Sequence, residues 1–203
     1  MSPRARQGKA RQGKARAEPQ INDGWGTVSL QTPMFLPMER KKDGSRLIQP
    51  KGRPISASRI YGISQPNELP STLTCKKFGS LLANRITFME RDTLGHRTKE
   101  AAFTFESENF PSGAVDLETH KGNSRFNVVY QEGTIRYSSR WDHTVCKSNI
   151  SITTNERGIE QLVGEIECKN LVGNSTALDA SQGALDDLDI RVNFRCDVDD
   201  RRM

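Results

Sequence analysis

Four residues have the chemistry to form covalent cross-links or bind a soft metal: Cys75, Cys146, Cys168 and Cys196. The closest two are 22 positions apart, so the chain has no C-x-x-C pair. Zinc knuckles and thioredoxin-like redox sites use such a pair to present two thiolates to one point, and both are disfavoured here. An even number of well-separated cysteines in a small strand-rich domain instead points to structural disulfides.

The three histidines, His96, His120 and His143, fall at or near turns, with no second ligand at a recognisable interval, and read as solvated loop residues. No G-x-S-x-G elbow, H-E-x-x-H pair, Walker loop or G-x-G-x-x-G fingerprint occurs. Asp186, Asp187, Asp189, Asp197, Asp199 and Asp200 crowd toward the C-terminus, but their spacing fits no EF-hand loop. No catalytic residue, cofactor or metal ligand is assigned, and the chain is expected not to be an enzyme. Trp141 with Tyr130 and Tyr137 would make a stacking platform for sugars or bases. The two tyrosines continue the apolar faces of their strands, so a core position is expected for them. Asn149-Ile-Ser151 and Asn174-Ser-Thr176 match the N-glycosylation acceptor pattern, which has meaning only in a secreted eukaryotic protein.

The net charge of +5 divides unevenly. Residues 1–70 hold 13 Lys/Arg against 5 Asp/Glu, a balance of +8, and residues 71–203 hold 17 against 20, a balance of −3. A basic domain face tracking phosphates is therefore disfavoured. Nucleic acid is expected to be a partner, if at all, only through a basic arm made of Arg4, Arg6, Lys9, Arg11, Lys14 and Arg16. These residues belong to a near-tandem Arg-Gln-Gly-Lys-Ala repeat that lacks large apolar side chains and predicts disorder. Eight of the nine prolines also lie in the first seventy residues. Residues 1–70 are thus expected to be a basic, Pro-rich, mostly disordered extension outside the core. Residues 71–203 are expected to form the folded domain.

The elements that must position the cysteines follow from hydrophobic periodicity. From Arg85 onward, apolar residues alternate in short runs separated by turn residues, as in Ala101, Phe103, Phe105 and in Phe126, Val128, Tyr130. Longer candidates cover about 143–154, 159–171 and 188–198. In the last, Ile190, Val192, Phe194, Cys196 and Val198 share one face, and Asp189, Arg191, Asn193, Arg195 and Asp197 the other. About eight strands and no 3.6-residue period predict an all-β fold, an antiparallel β-sandwich or barrel. No apolar run approaches the length of a transmembrane helix.

A hairpin register follows from the turn between the first two long strands. Gly158 suits the left-handed position ending a three-residue loop, Glu156 to Gly158. That loop places Ile152 opposite Leu162, Ile150 opposite Gly164 and Cys146 opposite Cys168. A two-residue loop would set Cys146 against Glu167 and break the apolar pattern. Cys146 is therefore expected to pair with Cys168, which leaves Cys75 for Cys196.

The block Val163-Gly-Glu-Ile-Glu-Cys168-Lys-Asn-Leu171, followed by a Gly/Ser-rich loop and Asp189-Ile-Arg-Val-Asn-Phe-Arg-Cys196, resembles the closing part of small exported bacterial lipoproteins of the mycobacterial lipoprotein-antigen type. The resemblance covers about forty residues. It implies a surface-exposed, non-catalytic β-domain. Those proteins begin with a signal peptide and a lipidated cysteine, and the basic start of this chain is followed by no apolar run of the required length. The expectation is a non-enzymatic exported domain, secreted, periplasmic or at the cell surface, acting on a protein or surface partner as an interaction or structural module. The alternative is a cytoplasmic coat-like or nucleic-acid-associated protein with a basic arm.

Overall fold

The computed structural model describes residues 24–31, 56–63, 68–78, 83–119, 125–175 and 187–201. Among these residues there is no helix. The strands are β1 (Trp25–Gln31), β2 (Ser56–Tyr61), β3 (Ser71–Phe78), β4 (Ala83–Arg91), β5 (Arg97–Glu106) and β6 (Gly113–Leu117), then β7 (Arg125–Glu132), β8 (Ile135–Ser138), β9 (Val145–Thr154), β10 (Glu160–Ser175) and β11 (Leu188–Arg201). The all-β expectation holds, with two corrections. The described residues form eleven strands instead of about eight, and the sheet is mixed: β11 runs parallel to β3, from Val198 opposite Cys75 to Arg201 opposite Phe78. A parallel pair needs a crossover, and here most of the domain lies between the two partners, so no local sequence pattern announces it.

Seven strands close a ring of pairings, β11–β3–β4–β5–β7–β8–β10 and back to β11. Two further pairs are appended: β1 joins β11 and carries β2, while β9 joins β10 and carries β6. The long strands change partners along their length. β10 pairs with β9 through Lys169 and with β8 from Val172, and β11 leaves β1 after Arg195 and meets β3 at Val198. On β10 the change occurs at a register break between Cys168 and Leu171. Asn170 sits there in the left-handed region, φ 62°, a conformation that Asn tolerates better than most residues. The Asp189 side chain accepts from the Asn170 backbone N–H at 3.0 Å, and the Thr144 hydroxyl donates to its carbonyl at 3.0 Å.

The expected boundary at residue 70 does not hold for two segments. β1 and β2 lie in the N-terminal region, yet Val28, Leu30 and Tyr61 are part of the core. Gly26, Val28 and Leu30 face inward along β1 with Trp25, Thr27 and Ser29 less buried, and no proline interrupts either strand. A Cβ on Gly26 would stand 2.6 Å from the Asn193 carbonyl and 2.8 Å from the Phe88 ring, so only glycine lets β1 approach this closely. Phe88, fully buried, meets Tyr61, Phe103 and Phe194 edge-on at 5.6–6.5 Å. Each such pair contributes about 0.5–1.5 kcal/mol beyond burial, so β2 and β11 are both anchored on β4. The basic repeat lies outside the described residues.

Candidate functional site

The β9–β10 turn closes as its sequence requires. Gly158 has φ 75°, and the Asn155 side chain accepts from the N–H groups of Arg157 at 2.9 Å and Ile159 at 3.0 Å. The resulting register sets Ile152 against Leu162, Ile150 against Gly164 and Cys146 against Cys168. The Cα atoms of that cysteine pair are 4.1 Å apart, and those of Cys75 and Cys196 are 6.0 Å apart. Both pairs lie at disulfide distance, and all four cysteines are buried. One pair ties β9 to β10, and the other ties β3 to β11 beside the parallel join.

The other predicted chemistry disperses. His96 pairs with Asp92 at 3.2 Å in the β4–β5 turn, and His143 pairs with Asp187 at 2.6 Å. His120 and Asp186 lie outside the described residues. Asp189 holds the Asn170 backbone and Asp197 accepts from Gln161 at 2.8 Å, so these carboxylates serve strand pairing. Among the described residues no group of three or more His, Cys, Asp or Glu is placed to hold a metal ion. Tyr130 and Tyr137 are core residues whose rings lie 6.3 Å apart, whereas Trp141 is 65% exposed in the β8–β9 turn. The three aromatics therefore do not form one platform. Asn149 is exposed on β9. Arg4, Arg6, Lys9, Arg11, Lys14 and Arg16 lie outside the described residues.

The structure brings together a polar cluster that the sequence does not reveal. Arg59 on β2 forms a close ion pair with Glu90 at the end of β4 and reaches Glu68 at 3.6 Å. Glu90 is buried and also accepts from the Thr98 hydroxyl at 2.9 Å. Lys99 on β5 meets Glu132 on β7 at 3.0 Å, and the Tyr130 hydroxyl donates to the second oxygen of Glu132 at 2.8 Å. The Arg59 guanidinium stands 5.8 Å from the centre of the Tyr61 ring. Burial, and after it the Glu90 charge, push the Tyr61 phenol up to about 12, and Tyr130 is raised by burial and by its bond to Glu132. Both effects disfavour placing another negative charge here.

Of these groups Arg59, Tyr61, Lys99, Tyr130 and Glu132 border a cavity of about 320 Å³, which Val28 and Leu30 also line. Its residues come from strands 26 to over 100 positions apart in sequence, so neither spacing nor periodicity could have gathered them. No protein family, curated protein or solved structure matches the chain.

Proposed function

We propose that this chain is a non-enzymatic β-domain of an oxidising compartment, exported or displayed at a surface, where it acts as an interaction or structural module. One observation carries the reading: all four cysteines are buried in two pairs at disulfide distance, each joining two strands. Disulfides persist outside the reducing cytosol, and small exported domains use them to supplement a modest core. The C-terminal resemblance to exported lipoproteins points the same way.

Labelling of intact source cells with a membrane-impermeant amine reagent tests the reading. The protein should be labelled without lysis, or recovered from the medium. Labelling only after lysis would contradict it. The charge asymmetry of the chain favours one rival, in which the basic arm binds nucleic acid. Salt-sensitive binding by the intact chain that disappears on deleting residues 1–16 would favour that rival.

A further inference from the structure

We infer that the outer face of β3, β4, β5, β7 and β8 binds an acidic polysaccharide, a chain of sugar rings that carry carboxylate groups. The inference goes beyond the compartment proposed above and does not rest on it.

Charge is unevenly placed on the folded strands. The alternation that sends Cys75, Ile86, Phe103, Val128 and Tyr137 into the core turns Lys76, Arg85, Arg125 and Arg136 outward. The register break between Glu90 and Arg91 sets Arg91 opposite Arg97 at one end of the same face. Against these six cations stand Glu100, Glu106 and, from the adjoining end of β11, Asp199, a local balance of six minus three, or +3. The −3 of residues 71–203 therefore conceals a face of opposite sign. The outer face of β6, β9, β10 and β11 is matched instead, with Lys147 near Asp116, Lys169 near Glu167 and Arg191 on Glu165.

Geometry leaves the cations in excess. Glu100 is buried and takes both Arg85, at 2.7 Å, and Arg97, in a close ion pair, so one carboxylate serves two guanidiniums. Lys76, Arg91 and Arg136 make no ion pair among the described residues. Lys76 lies directly across from Arg85, and Arg91 from Arg97, like-charge pairs whose repulsion a bound anion relieves. Glu100 also holds Arg85 and Arg97 in place before any ligand arrives, which lowers the ordering cost of binding.

Extent and side-chain chemistry select the polymer. β5 runs about 30 Å from Arg97 to Glu106, and the five strands are about 20 Å across, so cations spread over this area suit an extended chain better than one small anion. Between them lie Thr72, Thr74, Thr104, Gln131 and Ser138, half-buried or exposed side chains that exchange hydrogen bonds with hydroxyls. β4, β5, β7 and β8 send all their aromatic rings into the core, so the middle of the face gives nucleic-acid bases nothing to stack on. Thr87 and Ala102, at its centre, are buried, and no large apolar side chain protrudes there to enter a bilayer.

The test titrates the full chain with a linear oligogalacturonate and follows backbone amide signals by NMR. Those of Thr87, Ala102 and Val129 should shift saturably, with a Kd of about 0.1 mM that weakens as salt is raised, and those of Lys147 and Glu167 should stay fixed. Arg97→Gln with Arg136→Gln should weaken binding about three- to tenfold, the fold-change for two exposed ion pairs. Lys147→Gln with Lys169→Gln, the same change of charge on the other face, should leave it unchanged. Glu106→Gln, which releases Arg125, should tighten it about twofold. The inference is overturned if the oligogalacturonate gives no saturable shift, or if the shifts fall only outside this face. It is equally overturned if neutral dextran shifts the same signals as strongly, or if single-stranded oligodeoxythymidylate or phosphatidylglycerol vesicles bind this face more tightly. Binding at the parent's affinity by both the Arg97→Gln, Arg136→Gln chain and the Glu106→Gln chain would overturn it as well.

Discussion

Tyr61 and Tyr130 titrate in surroundings that resist the phenolate. Burial raises both, and the carboxylates of Glu90 and Glu132 add to the effect. With its folded pKa near 12 against an ordinary value near 10, Tyr61 stabilises the fold fully below pH 10, and that contribution is lost as pH rises through 12. Ultraviolet difference spectra of the folded protein should therefore show no ionisation of Tyr61 near pH 10, with its phenolate appearing around pH 12 or on unfolding. A normal titration of all three tyrosines near pH 10 would show that the cluster is open to water. That both residues are buried was legible in part: Tyr130 continues the face of Phe126 and Val128. The charged partners were not, because Arg59, Glu90, Lys99 and Glu132 meet only once four different strands are assembled.

At the scale of elements, β11 is where sequence and structure agree most closely. Ile190, Val192, Phe194, Cys196 and Val198 are all buried, while Arg191 and Arg195 are exposed. Phe194→Ala should cost about 3–5 kcal/mol in chemical denaturation, because it empties space beside Phe88. Arg195→Ala, which removes an exposed side chain and its part-buried bond to Gln161, should cost about 0.5 kcal/mol. Similar losses at the two positions would mean that the assigned faces are wrong. β1, β2 and β3 were harder to read. Ser and Thr fill many of their outer positions, their apolar residues are few, and prolines nearby mask short strands that contain none. β1 nevertheless covers one edge of β11, and Tyr61 on β2 packs on Phe88. A chain starting at residue 71 should lose cooperative unfolding or fall markedly in Tm. After mild proteolysis of the full chain, the peptide spanning 24–31 should stay with the core under native conditions. A 71–203 fragment as stable as the full chain would show that these strands contribute little.

For the molecule as a whole, ring closure depends on two places where a long strand changes partners, and each has a cysteine pair beside it. Cys146 and Cys168 lie just before the break on β10, and Cys75 and Cys196 flank the point where β11 meets β3. The Cys146–Cys168 pairing was legible because one turn fixes the register of two alternating strands. The other pair was reached only by elimination, since a parallel contact across 121 residues leaves no local trace. If both bridges form, each restricts the unfolded chain, by about 3–5 kcal/mol for loops of these lengths in the chain-entropy model. Peptide mapping without reduction, on protein isolated from its natural source with free thiols blocked at lysis, tests the account most directly. Two linked peptide pairs are predicted, Cys146 with Cys168 and Cys75 with Cys196. A Cys168–Cys196 linkage would contradict the fold, and four blocked thiols would contradict the oxidising compartment on which the proposed function rests.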